Sequence, residues 1–207
     1  MKLSLLFVAL CLPALSQAQN FVIADKIFQP AYTNSSNEGF LEEYLPANQT
    51  LENWTNLFAI RYFKKIDSPE DYIAQLGGEY HKEFPWMKFA SYDQKSKNRW
   101  FVDFVAYQRS NESKLKFLGL LSALIPIIPS PKPDESKFLE WNFFRAQTNA
   151  VGNGIIVFQY AKRIPNKEST NAWQEVTLLR KQMIPFLATN EFELDFTQLK
   201  QLTKTEK

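Results

Sequence analysis

Apolar and polar positions alternate along most of this chain, and the period of the alternation predicts its elements. Asn56 to Lys65 places Phe58, Ile60 and Tyr62 on one face and Leu57, Ala59, Arg61 and Phe63 on the other. Both faces are largely apolar, which predicts a central strand. Residues 21–36, with a Gln29-Pro30 break, predict one edge strand and a loop, and Phe40 to Leu45 a short strand. Pro46-Ala47-Asn48-Gln49 turns the chain, and Leu51 to Trp54 predicts a single helical turn. Met87 to Tyr92 and Arg99 to Gln108 predict two strands about a polar turn at Asp93 to Asn98. Phe138 to Gln147 and Gly154 to Arg163 predict two more, joined by the hairpin signal Gly152-Asn153-Gly154 within Asn149 to Gly154.

Two stretches change to the helical period. Ser68-Pro69-Glu70-Asp71 is a helix start: Ser68 caps, Pro69 occupies the first turn, and the acidic residues meet the positive end of the helix dipole. Tyr72, Leu76, Tyr80 and Phe84 follow at intervals of four, with Ile73 beside them, and Pro85 ends the helix. Gly77-Gly78 weakens this pattern by about 1 kcal/mol per glycine. A second helix is predicted from about Thr170 to Met183, capped by Ser169 or Thr170, with the stripe Ala172, Val176, Leu179, Met183. Strands joined by short turns, with two amphipathic helices, predict an α+β fold: a mostly antiparallel sheet with both helices packed on one face.

The N-terminus reads differently. Lys2 precedes an apolar run from Leu3 to Leu15, and Ser16-Gln17-Ala18 supplies small residues where a signal peptidase cuts. The run is shorter than the roughly 20 residues a bilayer span needs. The expected organisation is a signal peptide over 1–18, one α+β domain over 19–190 carrying an apolar insertion at 113–135, and a polar tail over 191–207. The expected location is periplasmic or secreted, with no transmembrane span. Cys11 is the single cysteine and would leave with the signal, so the mature domain has no disulfide and depends on its core. Loss of Lys2 takes the 24 basic residues to 23 against 22 acidic ones, a nearly neutral balance that offers no footprint for nucleic acid. Eighteen phenylalanines point to a heavily packed core.

Leu115 to Pro129 is a second apolar run, broken in its second half by Pro126 and Pro129. Folded back, it would cover the sheet. Exposed, it would meet an envelope protein or a lipid surface through Phe117, Leu118, Leu121, Leu124, Ile125, Ile127 and Ile128.

Candidate chemistry is sparse. His81 is the single histidine, on the first helix, and no Gly-X-Ser-X-Gly elbow accompanies it. One histidine and one cysteine rule out a His-rich zinc site and a mature Cys nucleophile, and no catalytic residue, metal or cofactor is assigned. Glu42 and Glu43 are strand neighbours, so they point to opposite faces and form no close pair. One polar constellation stands out. Arg61 and Asp103 lie within apolar strands, Arg145 and Arg163 toward the ends of others, and Glu140 and Asn142 share a polar face. On adjacent strands these would line a polar floor on the sheet face left uncovered, with arginine as the natural binder of a carboxylate or phosphate. The alternative is ordinary salt bridging.

Glu43-Tyr44-Leu45-Pro46 through Asn53-Trp54-Thr55, with Phe143-Phe144-Arg145 and Gly154 to Arg163, resembles uncharacterised exported proteins of gammaproteobacteria. That resemblance implies export and no particular activity. The element order also resembles the PsbP-type fold, an analogy that carries no function. The leading expectation is an exported non-enzymatic binding protein of the envelope that holds a ligand or protein partner. A carboxylate-based hydrolase of an envelope or extracellular substrate, and an inhibitor or immunity protein, are the alternatives.

Overall fold

A computed structural model describes residues 19–83, 89–94, 98–108, 138–150, 152–165 and 171–192. The expected signal peptide (1–18), the insertion with its seven apolar contact residues, and the tail beyond residue 192 lie outside the described residues.

The strands, in chain order, are β1 (Phe21–Ile23), β2 (Lys26–Ser36), β3 (Gly39–Pro46) and β4 (Asn56–Phe63). After helix α1 (Pro69–Glu83) come β5 (Phe89–Gln94), β6 (Arg99–Gln108), β7 (Phe138–Thr148) and β8 (Ile155–Pro165), and helix α2 (Ala172–Thr189) follows. They form one sheet in the order β1-β2-β3-β4-β8-β7-β6-β5. Every neighbouring pair is antiparallel. The sheet is therefore two four-stranded meanders joined along β4 and β8. The class is α+β, as the alternating pattern predicts, and β4 is central and buried on both faces.

Local chemistry explains most boundaries. The Ser68 Oγ accepts from the Asp71 N–H at 3.1 Å, so α1 starts where its cap stands. The β7–β8 hairpin closes with the Asn149 N–H donating to the Gly154 carbonyl at 3.0 Å. Gly154 has φ +85°, and a Cβ there would stand 2.1 Å from the Phe63 carbonyl oxygen. Only glycine fits between the hairpin and the end of β4.

Three expectations need correction. Residues 21–36 form two strands rather than one: Ala24 and Asp25 both take positive φ (47° and 63°) and make a two-residue turn. Ala-Asp carries none of the usual signal for such a turn. Helix α2 is capped by Asn171, whose Oδ1 accepts from Gln174 N–H at 3.1 Å, and it runs through Pro185 to Thr189. The proline removes one backbone donor, but Leu187, one turn beyond Met183, is buried against the sheet and offsets the loss.

The third concerns the faces. Phe101, Val105, Trp141, Phe143, Phe158 and Tyr160 of β6, β7 and β8 share one core with Val176, Leu179 and Met183 of α2. Ile73 and Leu76 of α1 pack instead with Val102, Phe104, Phe144, Ala146 and Val157. These sets alternate along the same strands, so the two helices cover opposite faces rather than one. The physical reason is that β4, β6, β7 and β8 are apolar on both sides, and each side needs a cover. One side is thus the α1 face and the other the α2 face.

Candidate functional site

Alternation along the strands decides which polar side chains can meet. Arg61 pairs across from Val157, and Arg163 across from Glu140, all on the α1 face. Asp103 pairs across from Phe143, and Arg145 across from Phe158, on the α2 face. The four residues expected on one polar floor are thus divided two and two, and each face has its own helix.

On the α2 face the charges hold α2 in place. Arg145 is 1% exposed. Its Nη1 donates to the Leu187 carbonyl at 3.0 Å and the Asn190 carbonyl at 2.7 Å. Its guanidinium lies 4.4 Å from the Phe158 ring centre and 4.9 Å from that of Phe192. Arg99 adds a 3.4 Å bond to the Ala188 carbonyl and an ion pair with Glu191. The last turn of α2 has no basic residue, so β6 and β7 supply the cations its C-terminal carbonyls favour. Burial first, then the neighbouring Arg99 charge, pushes Arg145 down to about 9, which leaves it protonated at neutral pH. Asp103 accepts from Trp141 Nε1 at 2.9 Å and pairs with Arg180, Nη2 to Oδ1 at 3.0 Å.

On the α1 face a chain of polar contacts crosses the sheet. The Arg163 guanidinium lies 3.6 Å from the Trp54 ring centre, and its Nε donates to Glu140 Oε2 at 3.2 Å. Asn142 Nδ2 donates to Glu140 Oε1 at 3.3 Å, and Gln159 Nε2 donates to Asn142 Oδ1 at 2.9 Å. The chain stops there. Gln159 Oε1 and Arg61 Nη1 are buried and have no hydrogen-bond partner among the described residues, and neither has the Tyr72 hydroxyl. Arg61 and Gln159 occupy diagonal positions of β4 and β8, because Arg61 faces Val157 and Gln159 faces Ala59. Glu43, on β3, faces Ala59 from the other side.

Burial dominates the acids of this face. It raises Glu140 above its ordinary value against the pull of Arg163 and Asn142, and raises Glu43 against the pull of Arg61. It also raises the Tyr72 phenol, which Arg61 pulls down, so the Arg61 charge reaches both Glu43 and Tyr72. Glu42 lies on the other face and accepts from the Tyr44 hydroxyl at 2.5 Å, as strand alternation requires.

The sequence reading singled out Arg61, Arg163, Glu140 and Asn142 but missed Gln159 and Tyr72. Gln159 did carry a signal, as a lone amide inside the apolar run Ile155 to Tyr160. His81 lies in α1. Among the described residues no three His, Cys, Asp or Glu side chains gather to hold a metal, and no helix is long and apolar enough to cross a membrane.

The model of an uncharacterised protein family matches residues 15–117, which include β1 to β6 and α1. No curated protein and no solved structure matches the chain.

Proposed function

We propose that this chain is an exported, non-enzymatic binding protein of the bacterial envelope that holds a ligand or protein partner. The observation that carries the reading is that Arg61 Nη1 and Gln159 Oε1, at diagonal positions of β4 and β8 on the α1 face, are both buried without a partner among the described residues. Buried polar atoms are ordinarily satisfied, and one left bare costs about 1–3 kcal/mol. A donor and an acceptor left bare together suit a molecule that brings the complementary groups. Export is supported by the charged, apolar and small-residue order of residues 1–18 and by the resemblance to exported gammaproteobacterial proteins. The likeness to the PsbP-type fold rests on element order and adds no activity. Residues 115–129 provide a second surface in this proposal, toward an envelope protein or lipid.

The hydrolase reading fits the geometry less well. Glu43 and Glu140 are the buried carboxylates of the α1 face, and β4 and β8 stand between their strands. Three strand spacings separate their backbones by about 14 Å, whereas paired glycosidase carboxylates stand roughly 5–9.5 Å apart.

The test is native mass spectrometry of the protein isolated gently from the envelope fraction of its own cells. A co-purifying small molecule or protein in stoichiometric amount is expected, on a chain that begins at Gln19. A toxin as the captured protein would favour the inhibitor or immunity reading. An empty protein that hydrolyses an envelope polymer, with turnover lost in Glu140→Gln, would overturn the proposal.

A further inference from the structure

We infer that the α1 face takes a small molecule of the α-amino acid type, its carboxylate on Arg61 and Tyr72 and its amino group on Gln159 and Glu43. This rests on the binding reading above and names the ligand class for it.

Polar groups of matched type stand around a small floor. Glu43, Ala59 and Gln159 form one cross-strand row on β3, β4 and β8, with Ala59 in the middle. Arg61 stands in the next row of the same face, two residues along β4. Ala59 is buried and presents a single methyl, so three long polar side chains surround a short one. Tyr72 joins them from α1, its ring 5.3 Å from that of Phe63, which follows Arg61 by two residues on the same face.

The polar atoms divide by type. Arg61 Nη1 and the Tyr72 hydroxyl are donors without acceptors among the described residues, and carboxylate oxygens are the acceptors such donors take. Gln159 Oε1 is an acceptor without a donor, because its Nε2 is already committed to Asn142. Glu43 accepts when ionised and lies across Ala59 from it. A simple anion would satisfy Arg61 and leave Gln159 Oε1 bare, and a simple cation would do the reverse. A zwitterion matches both and adds no net charge to a buried place, where an uncompensated charge is costly. Arg61 and Gln159 are 5% and 1% exposed, so a ligand there would meet them largely out of contact with water.

The experiment is thermal unfolding of the whole mature protein with glycine, L-alanine, L-leucine or L-glutamate at millimolar concentration, beside acetate and ethylamine as half-ligands. At least one amino acid should raise Tm by several degrees while acetate and ethylamine do not. Arg61→Met and Gln159→Leu should each abolish the rise while still melting cooperatively. Should Arg61→Met fail to fold, Gln159→Leu decides alone. No shift with any of the amino acids would overturn this ligand class and leave an unmatched buried cation and nothing more. If the protein from its own cells carries a lipid or another molecule without the amino acid groups, the binding reading stands and this ligand class fails.

Discussion

The two faces of the sheet are built from the same side-chain types and use them differently. On the α2 face, Arg145, Arg99 and Asp103 hold α2, and their bonds run to carbonyls at its C-terminal end, to Glu191, to Trp141 or to Arg180 on the helix itself. Arg145 Nε and Gln147 Oε1 are unmatched on this face too, but Arg145 Nη1 meets two carbonyls and its guanidinium lies against two aromatic rings. On the α1 face, Arg163 and Glu140 are matched in the same way, whereas Arg61, Gln159, Tyr72 and Trp100 each keep an atom with no partner among the described residues. Burial alone therefore does not separate structural charges from available ones. The separation comes from counting which donors and acceptors are already used.

The largest expected effect tests the α2 face. Arg145→Met should cost about 3–5 kcal/mol, since it strips the cation from one buried and one part-buried carbonyl while keeping apolar volume; the urea midpoint measures it. Trp141→Phe should cost roughly 2 kcal/mol by removing a donor from the buried Asp103 carboxylate, read from the same midpoints. Arg61→Met should change stability by no more than about 1 kcal/mol in either direction. A loss as large as that of Arg145→Met would erase the contrast between the faces.

The smallest effect is in the pH response. Glu43 and Glu140 have folded pKa values raised above 4.5 by burial. In that situation the native state binds more protons than the unfolded chain, so the stability they contribute is complete below 4.5 and is lost as pH rises through the folded values. Tm should fall over that range in wild type and fall less in the Glu43→Gln, Glu140→Gln double variant. Parallel curves would mean that neither acid is coupled to folding.

Much of the fold was legible because the central strands are apolar on both sides and the hairpin at 149–154 announces itself. What failed was non-local. Pro185 reads as a stop, and it is overruled by Leu187 and by arginines on β6 and β7 that the helix sequence does not contain. The division of the four candidate residues was partly readable. A hairpin pairing Thr148 with Ile155 couples even positions to odd ones, so Arg145 and Arg163, both odd, must face opposite ways. The placement of Arg61 beside Gln159 was not readable, because β4 and β8 are distant in sequence and nothing local fixes their register.

That β4–β8 seam also governs the order of assembly. Its strands lie about a hundred residues apart in the chain, so joining the two meanders demands a slow, long-range closure while hairpins form quickly. As the chain emerges N-terminus first, β1 to β4 can pair long before β8 exists, leaving β4 as an open, apolar edge. The vulnerable species in the life of this protein is then a half-sheet waiting for its other half, and kinetic protection of that edge would matter more to yield than the final stability of the fold.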